Sequence, residues 1–198
     1  AVFSRFNVER VVRYAFELAR TRRRHLTSVT KSNAQQYSMV FWDEVVAAVA
    51  QDYPDVEVQS LLVDAAAALM VRAPERFDVV VASNLFADIL TDLGGALMGS
   101  LGLAPSANLT ADPALPSLFE PIHGSAPDIA GRGVANPLGA IWAGAMMLEH
   151  LGEADAAARV MRAIEATTAE GTTLTPDLGG TASTDQVAER VIAHLSAS

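Results

Sequence analysis

The chain has 198 residues, 51% of them hydrophobic and 19% charged, which supports a buried core and excludes a disordered chain. Fourteen basic residues stand against 23 acidic ones, and the net charge of −9 argues against sequence-independent nucleic-acid binding. Cysteine is absent, which removes disulfide frameworks, thiolate zinc sites and cysteine nucleophiles together. No apolar run approaches the roughly 20 residues of a membrane helix, and no charged-then-apolar leader opens the chain. The expectation is an acidic cytoplasmic protein with neither a nucleic-acid nor a membrane partner.

Asn7 can cap a first helix, in which Val8, Val11, Val12, Ala15 and Leu18 recur at helical spacing. It ends in Arg20, Arg22, Arg23 and Arg24, a basic end that suits the helix dipole and reads as a solvated face. A short strand is expected over 25–30, and a helix from about Ser38 with Trp42, Val45, Val46 and Val49 on one face. Residues 56–63 look extended and 65–72 helical, with Pro74 as the breaker. The Val-rich run 77–82 predicts a buried strand, and 86–98 a helix. From Gly99 to Gly133 the chain is rich in glycine and proline, Pro113 among them, and reads as a long functional loop. Helices are expected again at 138–151 and 155–170. Gly179-Gly180 marks a turn, and Ser183 with Gln186 forms a capping box before a last helix to Leu195. Strands alternating with helices predict an α/β fold.

Few residue patterns carry chemistry. Asp88 and Asp92 are four apart in a helical pattern and share a face. Hard oxygen donors of this kind suit Mg²⁺ or Mn²⁺, or else complement a helix start. A metal would need a third acid, and Asp64, at a strand-to-helix junction, is a candidate. Lys31, the only lysine, follows a predicted strand. A divalent cation beside a lysine favours its neutral, proton-accepting form; the plain alternative is a surface lysine. The run Glu120 to Asp128, E-P-I-H-G-S-A-P-D, is the most unusual local sequence. Gly124 lets backbone approach a ligand closely, and Asp128 could accept from a ribose diol and repel a 2′-phosphate. There is no G-x-G-x-x-G, so a nucleotide here is not held by a Rossmann turn. His123 is a ligand contact or a satisfied loop histidine. Neither H-E-x-x-H nor G-x-S-x-G occurs.

Four strings carry a resemblance: N-L-F-A-D-I-L-T-D (84–92), P-S-A-N (105–108), F-E-P-I-H-G-S-A-P-D-I-A-G-R-G-V-A-N-P (119–137) and T-P-D-L-G-G-T-A-S-T (175–184). In this order they resemble the β-decarboxylating dehydrogenases, the family of isopropylmalate, isocitrate, tartrate and D-malate dehydrogenases. K-S-N at 31–33 with S-M-x-x-W-D-E at 38–44 is most similar to the tartrate/D-malate branch, whereas V-D-A-A-A-A-L at 63–69 is closer to the isopropylmalate branch.

The resemblance implies an isopropylmalate dehydrogenase-like, two-domain α/β fold. It implies NAD- and Mg²⁺- or Mn²⁺-dependent oxidative decarboxylation of a 2-hydroxy dicarboxylic acid. Asp64, Asp88 and Asp92 match the metal ligands and Lys31 the catalytic lysine. His123, Gly124, Ser125, Ala126, Asp128, Ile129 and Asn136 match the adenosine loop, and Asn33 matches a further cofactor contact. In the family Lys31 and Asp64 reach into the partner's site, so a homodimer with composite active sites is implied. Residues 1–99 would form most of the small, dimer-forming domain and 100–198 the C-terminal part of the large nucleotide-binding one. Family members carry roughly 150 residues before the position of Ala1, with the substrate-binding arginines and a proton-donating tyrosine. The chain alone is therefore expected to be inactive. Ala87 stands where the family has glycine, and residues 34–37 replace a more apolar run beside the substrate end. Two alternatives stay open: isopropylmalate dehydrogenase activity, and a non-catalytic relative that only assembles.

Overall fold

The computed structural model describes residues 2–110 and 114–197; Pro113 of the loop-rich stretch lies outside the described residues. The chain divides into two compact units, Ala1–Gly94 and Gly95–Ser198.

In the first unit, α1 (Arg5–Arg20) leads to β1 (His25–Thr30), α2 (Ser38–Ala50), β2 (Glu57–Leu62), α3 (Val63–Arg72), β3 (Val79–Val81) and α4 (Asn84–Leu97), which runs past the division. The sheet order is β2-β1-β3 and both pairings are parallel. β1 is central, and five of its six residues are buried. Val12 and Phe16 of α1 and Trp42 and Val45 of α2 pack with Leu26 and Val29 of β1 into one core. Trp42 Nε1–H donates to Ser28 Oγ at 3.0 Å, so the core's largest side chain leaves no unpaired donor.

One expectation at α1 is corrected. The cap is Ser4, not Asn7: Ser4 is extended, and its Oγ accepts from the Asn7 N–H at 3.3 Å. Asn7 therefore lies inside the first turn. The arginine run is largely solvent-exposed, as expected, but three of its four guanidinium groups are also engaged. Arg20 grips Asp55 through Nη2 to Oδ1 (2.7 Å) and Nε to Oδ2 (3.0 Å), while its guanidinium lies over the Tyr53 ring. Arg22 Nε donates to Asp78 Oδ1 at 2.8 Å, and the Arg23 N–H to Asp78 Oδ2 at 2.9 Å. Arg23 also donates to the carbonyls of Glu75 and Phe77. Arg24 takes φ +59° to turn the chain into β1. The run ties the end of α1 to the entry of β3.

The second unit holds the hairpin β4 (Pro105–Asn108) and β5 (Leu118–Pro121), then α5 (Leu138–His150), α6 (Ala154–Glu170) and α7 (Thr184–Ala197). The antiparallel hairpin pairs Pro105 with Pro121 and Asn108 with Leu118, inside the stretch expected to be loop. Leu138, Ala163, Ile164, Val187 and Val191 form this unit's core. The capping box at α7 is made: the Ser183 N–H donates to Gln186 Oε1 (2.8 Å) and the Gln186 N–H to Ser183 Oγ (3.2 Å). Among the described residues no helix is long and apolar enough to cross a membrane.

Burial pushes the Asp78 carboxyl up, but Arg22 and the Arg23 N–H outweigh it and hold it below the usual carboxylate value. A depressed folded-state pKa stabilises above the unfolded value and is lost as pH falls through the folded one. Asp78→Asn is expected to cost about 1–3 kcal/mol in urea denaturation at pH 7. The two stability curves should converge once the pH falls below about 4; a constant offset across that range would contradict the assignment.

Candidate active site

Parallel pairing brings the ends of β1, β2 and β3 to one edge of the sheet, where open α/β sheets place their ligands. Thr30 pairs with Leu62, so the chain emerges side by side at Lys31 and Val63. There Lys31 Nζ donates to Asp64 Oδ1 at 2.6 Å. The lysine side chain is 25% exposed and the carboxylate 67%. Asp64 lies in the first turn of α3, which follows β2 without a loop. Its carboxyl is held below the usual value first by Lys31 and then by backbone N–H groups of the helix start. The Ala34 and Gln35 N–H groups both close onto the Lys31 carbonyl, at 3.0 and 2.8 Å. Lys31 thus opens a tight turn, with Asn33 exposed within it.

Asp88 and Asp92 are both exposed, one turn apart on α4. Leu85 and Ile89, at 62% and 56% exposure, flank them. Ala87 is accommodated in a regular turn, its N–H bonding the Ser83 carbonyl at 2.8 Å. Within one chain, and among the described residues, no three acidic or histidine side chains come together in a metal-binding group. Asp64 therefore stands at the sheet edge and Asp88 and Asp92 on α4, which follows β3, without forming a single-chain metal site.

The second unit contains a separate cleft of about 680 Å³, formed by residues 100–102, 123–126, 129–131 and 133–136 with Asp177, Thr184 and Asp185. His123, Gly124, Ser125, Ala126, Ile129 and Asn136 all line it, as expected of a ligand loop. Asp128 is exposed but is not among the lining residues, and neither is Asn33. His123 Nδ1 lies 3.0 Å from the Gly124 carbonyl oxygen, and Ala126 adopts φ +40°, a left-handed conformation rare outside glycine. Asn136 is 7% exposed and its amide is engaged internally. The T-P-D-L-G-G string is recognisable in the sequence, yet nothing there assigns a role to Asp177, Thr184 or Asp185. Thr184 donates from Oγ1 to the Ala135 carbonyl (2.6 Å) and from N–H to the Gly133 carbonyl (2.9 Å), fixing one wall of the cleft.

The profile of the isocitrate/isopropylmalate dehydrogenase family matches residues 1–191. The chain belongs to that family. Its fold is the family's: an isocitrate dehydrogenase from Methylococcus capsulatus superposes with a TM-score of 0.94 at 45% identity, over 98% of this chain and 57% of that one. A protein from Agrobacterium vitis named "Probable tartrate dehydrogenase/decarboxylase TtuC'" is 56% identical over 199 aligned positions, covering all of this chain and 55% of the relative. "D-malate dehydrogenase [decarboxylating]" from Escherichia coli (strain K12) is 53% identical over 96% of this chain and 54% of its own. The chain spans about half the length of the curated relatives it matches.

Lys31→Met is expected to raise the Asp64 carboxyl pKa toward its ordinary value, since it removes the largest cause of the depression. Carboxyl carbon NMR titration of Asp64 reads this directly. An unmoved midpoint would show that the backbone N–H groups alone set it.

Proposed function

We propose that this decarboxylating dehydrogenase family member, as part of a longer protein, oxidises and decarboxylates a 2-hydroxy dicarboxylic acid of the D-malate/tartrate type with NAD and Mg²⁺ or Mn²⁺, in the cytoplasm. The observation that carries the reading is the Lys31–Asp64 pair at the edge of a parallel sheet, with Asp88 and Asp92 on α4, which follows β3. The relatives' names favour D-malate and tartrate over isopropylmalate.

The donor chemistry fits the metal. Asp64, Asp88 and Asp92 offer only carboxylate oxygens, all solvent-accessible. Among the described residues no three acids meet within one chain, which agrees with the composite site the family resemblance implies, with Asp88 and Asp92 from one copy and Asp64 with Lys31 from another. The exposed Leu85 and Ile89 beside the α4 acids support a surface covered by a second copy. The cation when bound would polarise the substrate hydroxyl and the carbonyl it becomes.

The cleft fits NAD. None of its lining residues is lysine or arginine, and two are aspartates, so a ribose diol is suited and a 2′-phosphate is disfavoured. Loop 123–126 would place backbone against adenosine, and Asp128, outside the lining, would add negative charge nearby. NAD when bound would accept the substrate's hydride. Asn33 is proposed as a further cofactor contact.

Lys31 does the proton work. Its amine stands at the sheet edge; the ammonium would first lose a proton to solvent, which a bound cation would favour, and the neutral amine would then take the substrate's hydroxyl proton. Asp64 orients that amine in the unloaded chain. On this reading the first unit is the dimer-forming domain and the second belongs to the nucleotide-binding one.

The test is NADH production by the protein spanning its relatives' full length, with D-malate, tartrate and isopropylmalate in parallel, with Mn²⁺ and with chelator. Chelator-sensitive turnover on D-malate or tartrate is expected, and Lys31→Met should lower kcat about 10²–10⁴-fold. The 198-residue chain alone should give none. A folded dimer silent on all three substrates would leave the non-catalytic reading standing.

A further inference from the structure

The cleft wall opposite the 123–126 loop depends on one carboxylate that the family motifs leave without a role. Asp177 Oδ2 accepts from Ser100 Oγ–H at 2.5 Å and from Asn136 Nδ2–H at 2.9 Å. These partners lie 77 and 41 residues away in sequence. Each partner in turn holds backbone. Ser100 Oγ accepts the Gly102 N–H at 2.9 Å, and Asn136 Oδ1 accepts the N–H of Leu138, at the start of α5, also at 2.9 Å. A single oxygen therefore joins three stretches of the cleft. The packing around it leaves no slack: a Cβ on Gly102 would sit 2.7 Å from Asn136 Cβ and 3.2 Å from both Asp177 Oδ2 and Ser100 Oγ. Partial burial pushes the Asp177 carboxyl up, yet the donors around it win and hold it low, so it stays a charged acceptor near neutral pH.

We propose that Asp177 is a positioning residue for the nucleotide, holding the 100–102 and 133–136 walls at the separation an adenosine group requires, through Ser100 and Asn136. This rests on the reading of the cleft as the NAD site. Asn136 is buried, and removing the carboxylate takes away the acceptor that fixes its amide. A neutral amide at position 177 still offers one oxygen to both donors, whereas a methyl offers none.

The experiment is calorimetric titration of the protein spanning its relatives' full length with NAD and with AMP, for the parent, Asp177→Ala, Asp177→Asn, Ser100→Ala and the Asp177→Ala/Ser100→Ala pair. Asp177→Ala should weaken both ligands about 10- to 100-fold, the scale of losing a supporting hydrogen-bond partner. Asp177→Asn should stay within about fivefold of the parent. Ser100→Ala should cost affinity in the parent and nothing further in Asp177→Ala, because the two act as one unit. If Asp177→Ala does not fold, Asp177→Asn and Ser100→Ala carry the comparison, and parent-like affinity in Ser100→Ala overturns the proposal. Parent-like affinity in a folded Asp177→Ala, or additive losses in the pair, does the same. A folded parent chain that binds neither NAD nor AMP overturns the NAD reading of the cleft, and this inference with it.

Discussion

Parallel pairing on both sides of β1 obliges three strands to finish at one edge of a sheet, and the chemistry of the first unit depends on that. Each strand reaches the edge with the same polarity, so the residues just beyond each strand are delivered to the same place. The β1–β2 register sets Thr30 against Leu62. A slip of one residue would turn the slipped strand's side chains to the opposite faces and separate Lys31 from Asp64. α3 begins at this edge too, so its N-terminal N–H groups favour the carboxylate of Asp64. The arginine clamps at the other end of β1 and β3 secure the same register: Arg23 holds the segment entering β3, and the Arg24 carbonyl accepts the Glu57 N–H at the start of β2 (2.9 Å).

The second unit solves placement differently. Its helices α5, α6 and α7 supply the core, but the cleft is built from the connections between elements. Connections have no ladder to fix them, so side chains must. Asp177, Asn136 and Thr184 do so with bonds to residues distant in the chain. Backbone conformation contributes as well. A Cβ on Gly180 would come within 1.9 Å of the Leu174 carbonyl oxygen, so the turn leading to α7 admits no side chain there.

What could be read from the sequence was what is local. β1 and the start of α2 fall where apolar spacing put them, and the Ser183/Gln186 box is made as drawn. Locally written too was the α/β class, since strand and helix periods alternate visibly. Most misses are pairings across distance. The cap is a local one: Asn7 was favoured because the apolar repeat begins at Val8, yet Ser4 reaches a free N–H of the first turn. The arginines' partners went unread because Asp55 and Asp78 lie far along the chain. The hairpin was hidden by prolines at its two ends, which only edge positions tolerate. At the site, Lys31 and the acids were findable by type and motif; the meeting of Lys31 with Asp64 at one edge required the topology. Asp177 gave no local signal, because its meaning lies in two partners that only folding brings near.

A single lysine in 198 residues has a practical consequence. Amine-directed reagents ordinarily scatter over a protein's surface, but this chain offers them one side chain, and that side chain sits at the sheet edge with its amine against Asp64. Acylation, reductive methylation or covalent tethering through side-chain amines would strike the candidate active site and, the α-amino group apart, leave the rest of this chain's surface untouched. Labelling stoichiometry at Lys31 thus becomes a built-in reporter of how tightly that edge is occupied.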